Sequence, residues 1–172
     1  MAKKISEDNM FFGFNLTDEQ KEFRDAIYSG DYDITFVNSK SGCGKTFIAI
    51  ATAKLLVSSG QFDGLVYIFS GVEERNFGYR PGTQEEKERD YLQPLFDALI
   101  DINEQPEKAL IPTNLNEMKK KSIGWVETFS HTFTRGMNIK NKVVVIDEAQ
   151  NWTVEQLKKI LTRCHKSCRI VV

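Results

Sequence analysis

Two short runs carry residue types at spacings that suit chemistry on a phosphate chain. The first is Asn38-Ser39-Lys40-Ser41-Gly42-Cys43-Gly44-Lys45-Thr46. Read against the pattern G-x-x-x-x-G-K-[ST], it has Gly44, Lys45 and Thr46 in place and Ser39 where the first glycine would stand. A helix that opens on such a loop presents unpaired N–H groups and the positive end of its dipole, which attract phosphate. Gly42 and Gly44 allow backbone angles that other residues resist, and they let a phosphate come close. Lys45 is then expected to meet the β- and γ-phosphates, with the Thr46 hydroxyl offered to a magnesium ion. The bland reading of the same residues is a Gly/Ser loop with a lysine at an exposed helix start.

The second run is Asp147-Glu148-Ala149-Gln150, entered directly from Val143-Val144-Val145-Ile146. Ligands of parallel α/β sheets bind at the carboxyl ends of the strands, so two carboxylates there face whatever the loop holds. Asp147 is expected to hold magnesium, directly or through water, and Glu148 to orient and polarise an attacking water. The pair could instead cap the next helix. That role is better filled by Thr153 and Gln156, which have capping-box spacing.

These residues need elements to place them. Ile34 to Val37 reads as a buried strand ahead of the loop, and a helix runs from the loop to about Ser58. Leu65 to Phe69 is continuously apolar, as strands covered on both faces are. Ile123 to Thr128, Val143 to Ile146 and Arg169 to Val172 are the further strands. Thr17-Asp18-Glu19-Gln20 has the capping-box form, so a helix follows it, with Phe23, Ala26 and Ile27 on one face and Gly30 at its end. Tyr91 to Ile100 reads as an amphipathic helix, with Pro94 tolerated in a first turn. Asn114 to Lys121 reads as a short solvated helix ending in three lysines. Helices on both sides of a mainly parallel sheet make a three-layer α/β domain.

Composition narrows the function. At 172 residues the chain is one domain with a core of its own, and we divide it into a tail over 1–15 and a phosphate-loop domain over 16–172. The net charge of -1 carries no broad basic footprint for nucleic acid, which leaves the local lysine run as the candidate contact. The three cysteines are an odd number and the first eight residues lack the apolar core of a signal peptide, so reduced thiols and a cytoplasmic location are expected. No apolar run is long enough for a membrane span. Cys164, His165 and Cys168 lack the second ligand pair of the usual zinc spacings. Cys43, at a helix N-terminus, is a candidate for oxidative inactivation.

The loop, Gly78-Tyr79-Arg80-Pro81-Gly82 followed by Tyr91-Leu92-Gln93-Pro94-Leu95-Phe96-Asp97-Ala98-Leu99, the Thr134-Arg135-Gly136 segment and Val145-Ile146-Asp147-Glu148-Ala149-Gln150-Asn151 occur in an order that resembles PhoH-like ATPases. The resemblance runs from about Leu16 onward. It implies a RecA-like fold related to the core of superfamily-one helicases, magnesium-dependent ATP hydrolysis, ring-shaped homo-oligomers, and RNA or single-stranded nucleic acid as a candidate partner. Within that fold the strand Arg169 to Val172 slots between the loop strand and the Asp147 strand. The nucleotide-binding set becomes Gln20, Ser39, Lys40, Ser41, Gly42, Cys43, Gly44, Lys45, Thr46, Arg135 and Gln150, with Lys45 and Glu148 catalytic and Thr46 and Asp147 on the metal. Gln20 matches in position a glutamine that contacts adenine in superfamily-one relatives, against its alternative as a capping residue; one side chain is not expected to do both. Arg135 is either a phosphate contact, in its own or a neighbouring subunit, or a surface loop residue.

Two departures set the rival readings. Ser39-Lys40-Ser41 replaces the Gly-Pro-Ala type of opening, so an altered first turn is expected, and Lys40 admits deviant-Walker ATPases that work as nucleotide-switched dimers. Ser41 and the adjacent Glu148 speak against that class. The family pattern also continues past the last strand into a polar sensor and later arginines, while this sequence stops at Val172. A nucleotide-binding assembly protein with little turnover is therefore the second alternative.

Overall fold

The computed structural model describes residues 11–70, 84–111, 124–130 and 136–172, with the backbone alone described over 84–89. The runs Gly78 to Gly82 and Asn114 to Lys121, and Arg135, lie outside the described residues.

Helix α1 (Asp18–Ser29) starts at the expected capping box: the Thr17 hydroxyl accepts from the Gln20 N–H while Gln20 Oε1 accepts from the Thr17 N–H at 2.9 Å. It stops at Gly30, whose φ of 86° is a left-handed cap. Strand β1 (Ile34–Thr35) leads to the loop and to α2 (Lys45–Ser58). Then follow β2 (Leu65–Phe69), α3 (Gln84–Asp101), α4 (Pro106–Ala109), β3 (Val126–Ser130) and β4 (Val143–Ile146). A 3-10 turn at Ala149–Asn151 precedes α5 (Val154–Leu161), which opens on the expected Thr153/Gln156 capping box, and β5 (Arg169–Val171) ends the order.

The five strands are all parallel, in the order β1-β5-β4-β2-β3, so β5 does lie between the loop strand and the Asp147 strand. Along β2, side chains alternate between two cores. Leu65, Tyr67 and Phe69 join Ile27, Ile50, Leu56, Leu95 and Leu99 from α1, α2 and α3. Val66 and Ile68 join Ile146, Ile160 and Ile170 on the α5 side. The continuous apolar character of β2 and β4 thus reflects a sheet covered on both faces, and the chain has the three-layer α/β fold of a RecA-like domain.

Three expectations need correction. The loop strand is not buried: Ile34 is 38% and Phe36 64% exposed, because β1 is an edge strand with β5 as its single neighbour. Its assigned span is also shorter, although Val37 N–H donates to the Val172 carbonyl and Val172 N–H to that of Thr35, which carries the ladder to the loop. Pro94 is not in a first turn. Helix α3 begins at Gln84, so Pro94 is interior and leaves the carbonyl four residues earlier, at exposed Asp90, without its helical partner. The third strand runs from Val126 to Ser130, two residues past the expected end at Thr128, because pairing with β2 continues to Phe69 and Ser130, while Ile123 lies outside the described residues; just before it, Trp125 bridges two elements, its N–H on the Ala109 carbonyl and its carbonyl on the Leu65 N–H.

That crossing is tight at Gly124, where an added Cβ would lie 2.4 Å from the Ala109 carbonyl oxygen and 2.5 Å from that of Leu110. Backbone atoms cannot swing aside as a side chain does. Gly124→Ala is expected to lower stability by about 1–3 kcal/mol, the usual range for overpacking, read from urea unfolding of the two proteins.

Candidate functional site

Because every strand runs the same way, β1, β2 and β4 deliver their carboxyl ends to one edge of the sheet. Strand β5 separates the loop strand from β4 by two inter-strand spacings, roughly 10 Å. The loop over 38–44 crosses that gap, and the helix that follows it meets the end of β4 through Thr46 and Asp147.

The loop takes left-handed backbone angles at Gly42 (φ 78°) and Gly44 (φ 83°). Ser39, in contrast, is absent from the positive-φ residues, so the position where the pattern has glycine demands none here. The serine-for-glycine departure therefore costs no backbone strain at that residue. Gly44 is the N-cap of α2 and supplies no side-chain cap, so the N–H groups of the first turn of a 14-residue helix point toward the loop, with that of Lys45 toward the Cys43 sulfur. Lys45 Nζ folds back over the loop and donates to the carbonyls of Ser39 (2.9 Å) and Lys40 (3.0 Å). Its charge rests on the loop's own oxygens.

Gln20 turns out to serve two partners. While its Oε1 accepts from Thr17, its Nε2 donates 2.9 Å to the Cys43 carbonyl, fastening α1 to the phosphate loop. The amide has one oxygen and one nitrogen, and each is spent on a different job.

Thr46 and Asp147 stand 101 positions apart in sequence and meet in the fold. The Thr46 hydroxyl donates to Asp147 Oδ2 at 3.2 Å. Tyr67, on β2, donates its phenol to the same oxygen, and the Glu148 N–H donates to Oδ1 at 3.0 Å. Asp147 N–H bonds the Ile68 carbonyl, so the residue is held by the β2–β4 ladder as well. Glu148 comes next, exposed and at φ 52°, a left-handed angle that costs a non-glycine residue energy and turns the chain sharply out of the strand. Its carboxylate accepts from Gln150 Nε2. Gln150 thus holds Glu148.

A hydroxyl and a carboxylate brought together at a half-buried spot are the hard oxygen donors that suit magnesium, which keeps most of its shell for water and phosphate. The donor set fits such an ion. Cys164, His165 and Cys168 are turned elsewhere: the two thiols reach the Ile160 and Ile139 carbonyls, and the imidazole pairs with Ser167.

Beside the two carboxylates lies a cavity of about 440 Å³ whose lining includes Tyr67, Phe69, Ser70, Tyr91, Pro94 and Asn151. The Phe69 and Tyr91 rings stack at 6.2 Å, and the buried Ser70 hydroxyl has no hydrogen-bond partner among the described residues. Sequence reading assigned Tyr67 to the core only. The available signal was a lone hydroxyl in an otherwise aliphatic and aromatic strand, since a buried tyrosine oxygen needs a partner.

With the geometry in view, comparison with known proteins gives one answer. The family model described as PhoH-like protein matches residues 15–172. The chain belongs to the PhoH-like family. It is 38% identical to a PhoH-like protein of Mycobacterium leprae (strain TN) over 154 residues, covering 89% of this chain and 41% of that one. A PhoH-like protein of Synechocystis is 34% identical over 157 residues, covering 91% and 44%. Protein PhoH of Escherichia coli (strain K12) is 29% identical over 140 residues, covering 81% and 38%. This PhoH-like chain therefore spans about two-fifths of the length of the curated relatives it matches. Among the described residues no helix is long and apolar enough to cross a membrane.

Electrostatics single out one thiol of the PhoH-like loop. A hydrogen bond from Ser39 holds the Cys43 pKa below its ordinary value, helped by the charge of Lys45, while partial burial opposes them. Burial pushes Cys164 the other way, up to about 12. A lowered pKa means that thiolate is already present at lower pH. Iodoacetamide is expected to modify Cys43 first, with a rate that rises at lower pH than for a free cysteine and shifts upward in Ser39→Ala; Cys164 is expected to stay inert through pH 9. Mass mapping of alkylated peptides across a pH series checks both.

Proposed function

We propose that this chain binds ATP with magnesium in the phosphate loop and hydrolyses its terminal phosphoanhydride. The observation that carries the reading is the Thr46–Asp147 hydrogen bond, which brings the end of the loop motif onto the carboxylate at the end of β4. The N–H groups at the start of α2 and the Lys45 ammonium are the anion-binding groups. Lys45 exchanges its two loop carbonyls for the β- and γ-phosphates, so the charge is stored next to its target before the nucleotide arrives. Magnesium, when bound, draws charge from the phosphate oxygens, and Thr46 and Asp147 are the residues that hold it.

Glu148 orients the attacking water and accepts its proton. The left-handed turn at this residue carries its carboxylate out of the strand, and Gln150 fixes it. Phosphoryl transfer also gains from an arginine supplied in cis or from a neighbour, worth about 10³ to 10⁵ in rate. Arg24 is committed to Asp25 and the Phe11 ring, and Arg169 to the Ile27 carbonyl and the Phe62 ring. Arg135, presented by a neighbouring subunit, is the group we propose for this role, so turnover rises with homo-oligomer formation. RNA or single-stranded nucleic acid is the proposed partner for coupling, with the lysine run at 119–121 as its contact. A cytoplasmic location accompanies this reading.

Lys45→Ala is expected to remove ATP affinity while the unfolding curve stays that of the parent, because the Lys45 ammonium bonds groups of its own loop, the Ser39 and Lys40 carbonyls and the Cys43 thiol; calorimetric titration of the folded variant decides it. Unchanged affinity would sink the phosphate-loop assignment. Glu148→Gln is expected to bind Mg-ATP as the parent does and to turn over at least 100-fold more slowly, a loss of about 2.7 kcal/mol in transition-state stabilisation, read as phosphate release. Equal rates would take the water-positioning role away from Glu148.

A further inference from the structure

The strand β2 is apolar at Leu65, Val66, Ile68 and Phe69, and its one polar side-chain atom is the Tyr67 phenol oxygen. Tyr67 is 1% exposed, and its hydroxyl is aimed at Asp147 Oδ2. Resting on the Mg-ATP reading above, we propose that Tyr67 is a positioning residue for the divalent cation, holding the Asp147 carboxylate in its binding orientation from the neighbouring strand.

The argument is one of restraint. A carboxylate rotates readily about its Cβ–Cγ bond, and a metal ligand that rotates must be ordered again on binding. Here three donors from three elements fix it: Thr46 from α2 and Tyr67 from β2 on Oδ2, and the Glu148 N–H from the turn after β4 on Oδ1. Thr46 is the donor whose hydroxyl oxygen is also wanted by the cation. Once Thr46 is shared, Tyr67 is the side-chain restraint on Asp147 that does not change partner.

The backbone supports the same geometry. Tyr67 pairs with Val145 in the β2–β4 register, two residues before Asp147, and Asp147 N–H bonds the Ile68 carbonyl. Phenol and carboxylate therefore ride on one rigid ladder and cannot drift apart as loop residues could.

A buried tyrosine that merely satisfies its hydroxyl would lose stability on substitution and nothing else. The test separates the two by measuring the cation itself. Tyr67→Phe keeps the ring and removes the oxygen. Manganese, as a paramagnetic probe for magnesium, is titrated into each protein with a non-hydrolysable ATP analogue and followed by electron paramagnetic resonance. Nucleotide affinity is measured separately in EDTA, and urea unfolding monitors the fold. The expected result is manganese affinity at least tenfold weaker in Tyr67→Phe, the lower end of what loss of a ligand-orienting group costs, with nucleotide affinity in EDTA unchanged. Ile68→Val, which loosens the same strand from its side chain and keeps the backbone carbonyl that Asp147 N–H bonds, is expected to keep the parent's manganese affinity.

Equal manganese affinity in folded Tyr67→Phe and the parent overturns the inference and leaves the nucleotide reading standing. An equal loss in Ile68→Val also overturns it, since general loosening would then explain the effect. If the parent binds nucleotide in EDTA but gains no manganese site, the metal part of the proposed function falls, and the inference with it. If the parent binds no nucleotide at all, the phosphate-loop reading fails first.

Discussion

The site depends on one hydrogen bond, that between the Thr46 hydroxyl and the Asp147 carboxylate. Thr46 begins a helix fed by the edge strand β1, and Asp147 ends a central strand two places in from it. With β5 inserted between those strands, no backbone bond joins them directly. The contact across the gap is possible because all strands are parallel, so a loop leaving β1 and a turn leaving β4 arrive at the same edge. An antiparallel β4 would put Asp147 at the opposite end of the sheet.

Around that bond, polar groups are tied in pairs that store the site in a closed arrangement. Lys45 is held by two loop carbonyls, Gln20 by Thr17 and Cys43, Glu148 by Gln150, and Asp147 by three donors. For the buried Tyr67 phenol the pairing avoids the cost of an unsatisfied polar group, about 1–3 kcal/mol, whereas the more exposed Lys45 and Glu148 groups would otherwise bond water. Pairing also limits where each side chain can be found. Among the described residues Phe12, Asn103, Asn141 and Glu148 are the non-glycine residues with left-handed backbone angles, and Glu148 is the one that lies where a carboxylate leaves the plane of the sheet.

The cavity next to the carboxylates has a different character from the loop. The loop is polar and built of backbone groups, whereas the cavity is walled by Phe69, Tyr91 and Pro94. Pro94 matters to this wall because its ring takes the place of a helical N–H donor in the middle of α3, exchanging one hydrogen bond for apolar surface. The PhoH-like relatives are more than twice as long as the stretch they share with this chain, and that stretch spans the α/β fold described above.

Much of the fold could be read from residue order because its signals are local. Capping boxes at Thr17/Gln20 and Thr153/Gln156 need only four consecutive residues, Gly30 ends α1 through its own backbone freedom, and β2 and β4 declare two-sided burial by unbroken apolar runs. The candidate site was legible for the same reason: Gly44, Lys45 and Thr46 are adjacent at a helix start, and a carboxylate after a buried strand is a local pattern. What the tertiary structure alone decided rests on neighbours distant in sequence. The exposure of β1 depends on having a single strand beside it, the ease with which Ser39 replaces glycine depends on the path of the whole loop, and Gln20 reaches Cys43 only because α1 packs against α2. Tyr67 is the clearest case, since its hydroxyl gains a partner 80 residues away through strand pairing, and no spacing along the chain encodes a contact made across a sheet.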